Sequence, residues 1–175
     1  MQAEGRAPLT SSRAHSARRL FIAVTAVVFG LDLISKNFAT SYLQFREPVN
    51  LIGDFLKLTY GTNPGAGFSF ATDATALLSS LKLCVAAFII YYMRKVNNKG
   101  WAFGLGLLLG GVVGNLWDRV SRPPGIWRGE VVDWIQLPNW PIFNLADSAI
   151  VTSGILMTIL TMRNIPPFKK EEFKQ

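Results

Sequence analysis

Residues 101–119 read WAFGLGLLLGGVVGNLWDR, and this stretch decides the fold. Trp101 to Trp117 carries no charged residue, and with its polar ends the stretch approaches the ~20 residues a helix needs to cross a bilayer. Gly106, Gly110 and Gly114 recur every four residues. That small-xxx-small stripe lets a neighbouring helix approach closely. Asn115, Asp118 and Arg119 follow at helical spacings that place them on one face. Polar side chains at the end of so apolar a run are costly and call for a reason. They either anchor the helix end at the headgroups or belong to a site.

Three further apolar runs flank this one: Leu20 to Tyr42, Leu77 to Met93, and Phe143 to Met162, the last stopping before Pro166 and Pro167. The expected fold is an all-α membrane protein, a four-transmembrane-helix bundle with a small extracytoplasmic β-sheet and loop region. Composition agrees: half of the residues are hydrophobic and only 17% are charged, with mean hydropathy +0.27. Lys82 interrupts the second run. The expectation is that it snorkels to the interface, with Thr75–Leu81 lying at the membrane surface. Residues 1–19 lack apolar periodicity and read as a disordered cytoplasmic tail. Residues 20–162 form the membrane domain, and 163–175 a basic tail. The first run resembles a signal peptide, but Asp32 and Lys36 interrupt its end and no small-x-small cleavage site follows, so it reads as a retained helix.

The net charge of +7 is informative through its placement. Arg6, Arg13, Arg18 and Arg19 precede the first run. Arg94, Lys95 and Lys99 lie between the second and third. Arg163, Lys169, Lys170 and Lys174 follow the fourth. The positive-inside bias puts both termini in the cytoplasm. Loops Ser41–Thr72 and Val120–Pro141 then face outward, and stretches such as Phe55–Tyr60 read as strands of a small sheet. This patterning marks topology rather than a nucleic-acid-binding face. A single cysteine, Cys84, and a single histidine, His15 in the polar leader, exclude a Ser-His or Cys-His pair and offer no metal-ligand spacing. No cofactor is expected.

Five polar groups carry whatever chemistry there is. Asp32 and Lys36 share a helix face and read as a structural ion pair or as a substrate contact. Asn63 opens the turn Asn63-Pro-Gly-Ala-Gly-Phe68. Asn115, Asp118 and Arg119 end the third run. Asp133 sits in Val131-Val-Asp-Trp-Ile135, flanks that favour burial and a raised pKa. Asn144 and Asp147 begin the fourth run and read equally as a helix cap. Two carboxylates held close cannot both ionise: one keeps a proton while the other acts as a base toward water. That division suits amide hydrolysis without a covalent intermediate. A proton- or cation-coupled transporter would instead want charges at mid-helix. A lipid phosphatase would want basic residues with His or a metal. An assembly factor built on the glycine stripe leaves Asp133 and Asn144 without a role.

The chain resembles the bacterial lipoprotein signal peptidases (signal peptidase II) from about Leu20 to Met162. Five blocks carry the resemblance in order: Asp32-x-x-Ser-Lys36, Asn63-x-Gly-Ala-Gly-Phe68, Gly110-Gly-x-x-Gly-Asn-x-x-Asp-Arg119, Val132-Asp133, and Phe143-Asn144-x-Ala-Asp147-Ser148. Gly67 stands where many members have Ala, and Lys82 is not part of the family pattern. The resemblance implies an aspartic endopeptidase with catalytic Asp133 and Asp147, supported by Asp32, Lys36, Asn63, Asn115, Asp118, Arg119 and Asn144. It further implies prolipoprotein substrates cut just before a diacylglyceryl-modified cysteine, contact with membrane lipids, and sensitivity to the cyclic peptide globomycin. It places the site near the outer surface of the bacterial inner membrane; a monomer is the default expectation.

Overall fold

The computed structural model describes residues 9–65 and 72–168. The elements run α1 (Leu9–Tyr42), β1 (Val49–Ile52), β2 (Leu56–Asn63), α2 (Thr72–Met93), α3 (Lys99–Ser121), β3 (Val131–Gln136) and α4 (Leu145–Met162). Three helices are long and apolar enough to cross a membrane: α2 over Thr75–Met93, α3 and α4. α1 shows the same need for lipid through Val27, Leu31, Ile34 and Phe38, each more than half exposed. Their spacing of four, three and four makes one continuous apolar stripe.

α1 begins at Leu9, not at Leu20, so residues 9–19 are helix and not the expected disordered tail. Ala and Arg are good helix formers, and extending a helix already nucleated by an apolar run adds one hydrogen bond per residue fixed. Ala17, fully buried, joins the core with Phe21, Ala86, Ile89, Leu105 and Leu109. Residues 1–8 and 169–175, including most of the expected basic tail, lie outside the described residues.

α3 is the central post, packing against α1, α2 and α4. Its glycines explain how. A Cβ on Gly106 would come within 2.9 Å of the Val24 Cβ, and one on Gly110 within 2.6 Å of the Val28 Cβ, so this stripe seats α1. Gly111 faces the opposite way and accommodates the Ala146 carbonyl of α4. Local signals set the helix ends. The Asn98 side chain accepts from the Gly100 and Trp101 amides at 2.8 and 3.3 Å, satisfying donors that the first turn of α3 leaves open. α3 stops just before Pro123, and α4 before Pro166.

The loops that follow α1 and α3 make a three-stranded antiparallel sheet in the order β1-β2-β3. β2 contains the expected Phe55–Tyr60 stretch except for its first residue. The β2–β3 pairing sets Gly61 opposite Asp133 and Asn63 opposite Val131, with an irregularity between Leu58 and Gly61. Val132 is fully buried with Ala39 of α1 and with Leu43 just past its end, which fastens the sheet to the bundle.

Candidate active site

The site starts from charge burial on α1. Asp32 and Lys36 are both fully buried and paired at 2.6 Å across one helical turn. Lys36 Nζ also meets Asp118 Oδ2 at 2.8 Å and donates to Asn115 Oδ1 at 2.9 Å. Arg122 Nε closes on Asp118 Oδ1 at 2.6 Å. Two carboxylates and two cations thus balance, which a buried cluster requires, because an uncompensated charge in such a place costs several kcal/mol (about 3–5). Of the two readings of Asp32 and Lys36, the structural pair is the one observed. Asp32 serves a second purpose: its Oδ1 accepts from the Ala146 amide at 2.9 Å. α1 therefore grips the first turn of α4, and a Cβ on Gly114 would stand 2.5 Å from Asp32 Oδ2.

Asn115 relays that anchoring. It receives Lys36 on Oδ1 and donates from Nδ2 to Asp147 Oδ1 at 2.8 Å. Asn144 is the N-cap of α4, accepting from the Asp147 amide at 3.0 Å, while its own amide donates to Asp147 Oδ2 at 3.3 Å. The helix-cap reading is thus correct. It coexists with a second role: Asn144 Nδ2 donates to Asp133 Oδ1 at 2.5 Å and lies 3.2 Å from Asn115 Oδ1 and 3.3 Å from the Val132 carbonyl. One asparagine therefore touches both carboxylates, and a continuous chain runs Lys36–Asn115–Asp147–Asn144–Asp133.

β3 presents Asp133 to this point. It is 5% exposed. Burial first, and the neighbouring Asp147 charge second, push its pKa up to about 6, opposed by hydrogen bonds from Asn144 and Asn63 and by the Lys36 charge. The raised pKa expected from its apolar flanks is present, and the Asn63 side chain is one of its partners. Asn63 Oδ1 also accepts from the Gly65 amide at 2.8 Å. The rest of that motif, Ala66 to Phe68, lies outside the described residues. Arg119, 3% exposed, donates from Nη1 to the carbonyls of Asn63 and Gly129, each at 2.9 Å. It ties the end of β2 to the loop before β3. Asp118 binds Lys36 and Arg122 and receives the Val132 amide at 3.4 Å, holding β3 against α3.

Arg122 escaped the sequence reading. Its signal was available, since it stands four residues after Asp118 in α3's last turn. The reach of Asp32 to the Ala146 amide had no sequence signal, because a backbone donor carries no residue identity.

Helices that demand lipid, holding two interacting carboxylates on one shared asparagine with no histidine or cysteine beside them, define the class: an aspartic hydrolase of the membrane. A family profile described as signal peptidase (SPase) II matches residues 24–163. The lipoprotein signal peptidase of Rhodococcus jostii is 42% identical over 153 residues, spanning 87% of this chain and 77% of that protein. That of Streptomyces coelicolor is 41% identical over 157 residues, 89% of this chain and 77% of its own length. That of Mycobacterium tuberculosis is 41% identical over 144 residues, 82% and 71%. Two solved bacterial membrane enzymes superpose with TM-scores of 0.74 and 0.73, at 25% and 26% identity. The first alignment covers 82% of this chain and 93% of that structure, the second 88% and 94%. The chain belongs to the signal peptidase II family.

Proposed function

We propose that this chain removes the signal peptide from diacylglyceryl-modified prolipoproteins, cutting on the N-terminal side of the lipidated cysteine, with Asp133 and Asp147 as the water-activating pair. The observation that carries the assignment of the pair is Asn144, which hydrogen-bonds both carboxylates at once. Held that close, the two share a proton over part of the pH range, and their apparent pKa values belong to the pair. The ionised member takes a proton from water as it attacks the scissile carbonyl. The protonated member supplies one to the developing oxyanion or the leaving amine. Asn115 and Asn144 hold the carboxyls in orientation. Asp32, Lys36, Asp118 and Arg119 act further back, fixing α4, β3 and the loops that carry the pair.

The positive-inside pattern supports an inner-membrane protein with both termini in the cytoplasm and the site at the outer surface. Exposed Phe45, Phe55 and Trp140 around the sheet suit the aromatic belt of that interface. A substrate whose signal segment and diacylglyceryl group both lie in lipid reaches such a site laterally. Globomycin is expected to compete at the same pair, and the working unit is a monomer.

The test is cleavage of a diacylglyceryl prolipoprotein by the purified protein in detergent, with Asp133→Asn and Asp147→Asn beside it and circular dichroism as the folding check. Each variant is expected to lose at least about a thousandfold in rate while staying folded. A folded wild type that leaves the lipidated substrate intact sinks the function. Cleavage undiminished in both variants sinks the pair.

A further inference from the structure

Lys82 is a charge that the site described above leaves unused. At about 100° per residue, Thr75, Ser79, Lys82, Ala86, Ile89 and Met93 of α2 fall within an arc of about 80°. The other five are all buried. Thr75 Oγ1 donates to the Pro64 carbonyl at 2.6 Å, and Ser79 Oγ lies 2.9 Å from the Trp127 carbonyl. Ala86, Ile89 and Met93 enter the core against α3. Lys82 stands in the middle of this inward arc and is half-buried. α2 runs unbroken through it, from Thr72 to Met93. Its neighbours Leu81, Leu83 and Cys84 are the exposed ones.

Charges from every other part of the site act on its ammonium: Lys36 on α1, Arg119 on α3, Asp133 on β3 and Asp147 on α4. The other three cations of this region are committed. Lys36 holds Asp32, Asp118 and Asn115, Arg122 holds Asp118, and Arg119 holds two carbonyls. Lys82 has neither an ion pair nor a hydrogen bond to any described residue. α2 and α4 both pack on α3 and make no extensive contact with each other among the described residues. That leaves an opening over α3 between the two helices, and Lys82 lies on the α2 arc turned toward α3, about 10 Å down the helix from Thr75.

An ionisable group turned inward in a membrane helix is costly and marks a ligand path by default. A peptide lying extended in that opening has a complementary need, because its backbone carbonyls find no water at that depth. An ammonium offers three donors. We propose that Lys82 is a substrate-positioning residue, whose ammonium donates to a backbone carbonyl of the signal segment beside the scissile bond as that segment enters between α2 and α4. This rests on the function proposed above. Because the ammonium also favours the ionised carboxylate of the pair, its removal has a signature beyond affinity.

The experiment measures kcat and KM against pH for the wild type, Lys82→Met, Lys82→Gln and Lys82→Arg on the same lipidated substrate. Lys82→Met removes an unpaired charge, so it is expected to fold. Its KM is expected to rise about tenfold to a hundredfold, the worth of a hydrogen bond to a charged group. Lys82→Gln falls between, and Lys82→Arg returns to within about threefold of wild type. In both neutral variants the acid limb of kcat/KM moves to higher pH, since the carboxylate loses a favourable charge. A wild type that fails to cleave overturns the function, and this inference with it. A cleaving wild type whose neutral variants keep its KM and acid limb overturns the inference alone. Equal losses of thermal stability in Met and Arg variants, with KM unmoved, make Lys82 structural and likewise overturn it.

Discussion

The seam between α1 and α3 is packed in two different ways along its length. In its inner half, Gly106 and Gly110 meet Val24 and Val28, and the surroundings are the apolar core of Phe21, Leu105 and Leu109. In its outer half, the next glycine of the same stripe, Gly114, meets the carboxylate of Asp32. The close approach is the same and its purpose differs. Inside, it gains dispersion contacts, which helix association in lipid depends on. Outside, it brings a buried charge within reach of Lys36 and of the first turn of α4. The inner half is a fastener that the outer half uses to hold a polar network dry.

Lys36→Met attacks the comparison where the difference is greatest. It leaves Asp32 and Asp118 buried without their shared cation, and a loss of about 3–5 kcal/mol is expected by denaturant titration in detergent. Val28→Ala in the inner half should cost about 1–2 kcal/mol on the same measurement. If the two losses are equal, the outer network does not hold the bundle as described.

Asp133→Asn has an opposite sign. The folded pKa of Asp133 is raised to about 6 from 3.8. Its contribution to stability is therefore fully present below pH ~4 and is lost as pH rises through 6. At pH 8 the ionised, buried carboxylate is a burden, and the amide should stabilise the protein by about 2–3 kcal/mol at most. Melting curves should show this gain at pH 8 and none at pH 3.5. A variant no more stable than wild type at pH 8 contradicts the burial argument.

The glycine stripe gives the smallest effect and the sharpest contrast. Gly110→Ala and Gly114→Ala each insert a methyl into a tight contact, and each should cost about 1–3 kcal/mol. Gly110→Ala should leave cleavage by the folded fraction within about threefold of wild type. Gly114→Ala displaces Asp32 and through it the start of α4, so cleavage should fall about tenfold or more. Equal activity in the two variants would make the stripe uniform.

Much of this was legible beforehand, and the illegible parts share a cause. Four apolar runs, the glycine spacing and the capping pair Asn144–Asp147 all follow from periods and caps within a few residues. The strand in Phe55–Tyr60 shows its propensity in the same local way. The helical course of residues 9–19 was missed because polar composition hides a helix that is extended from its neighbour and docked by Ala17. That Lys82 shares an arc of α2 with buried residues was not legible, because it depends on which face of α2 meets α3. Arg119 was legible as a polar residue ending the third run, but the loop carbonyls it holds were not.

The sequence by itself determined which runs are apolar enough to cross a membrane and which polar residues had to be satisfied near one end. These follow from hydrophobic transfer and from helix geometry, both local. Only the tertiary structure decided that Asp133 and Asp147 come together on Asn144. That meeting depends on the β2–β3 register, on Val132 being buried against α1, and on Asp32 reaching the Ala146 amide 114 positions away. A hydrogen bond to a backbone amide leaves no mark in the sequence at its far end, and a carboxylate on a strand does not reveal which helix will come to face it.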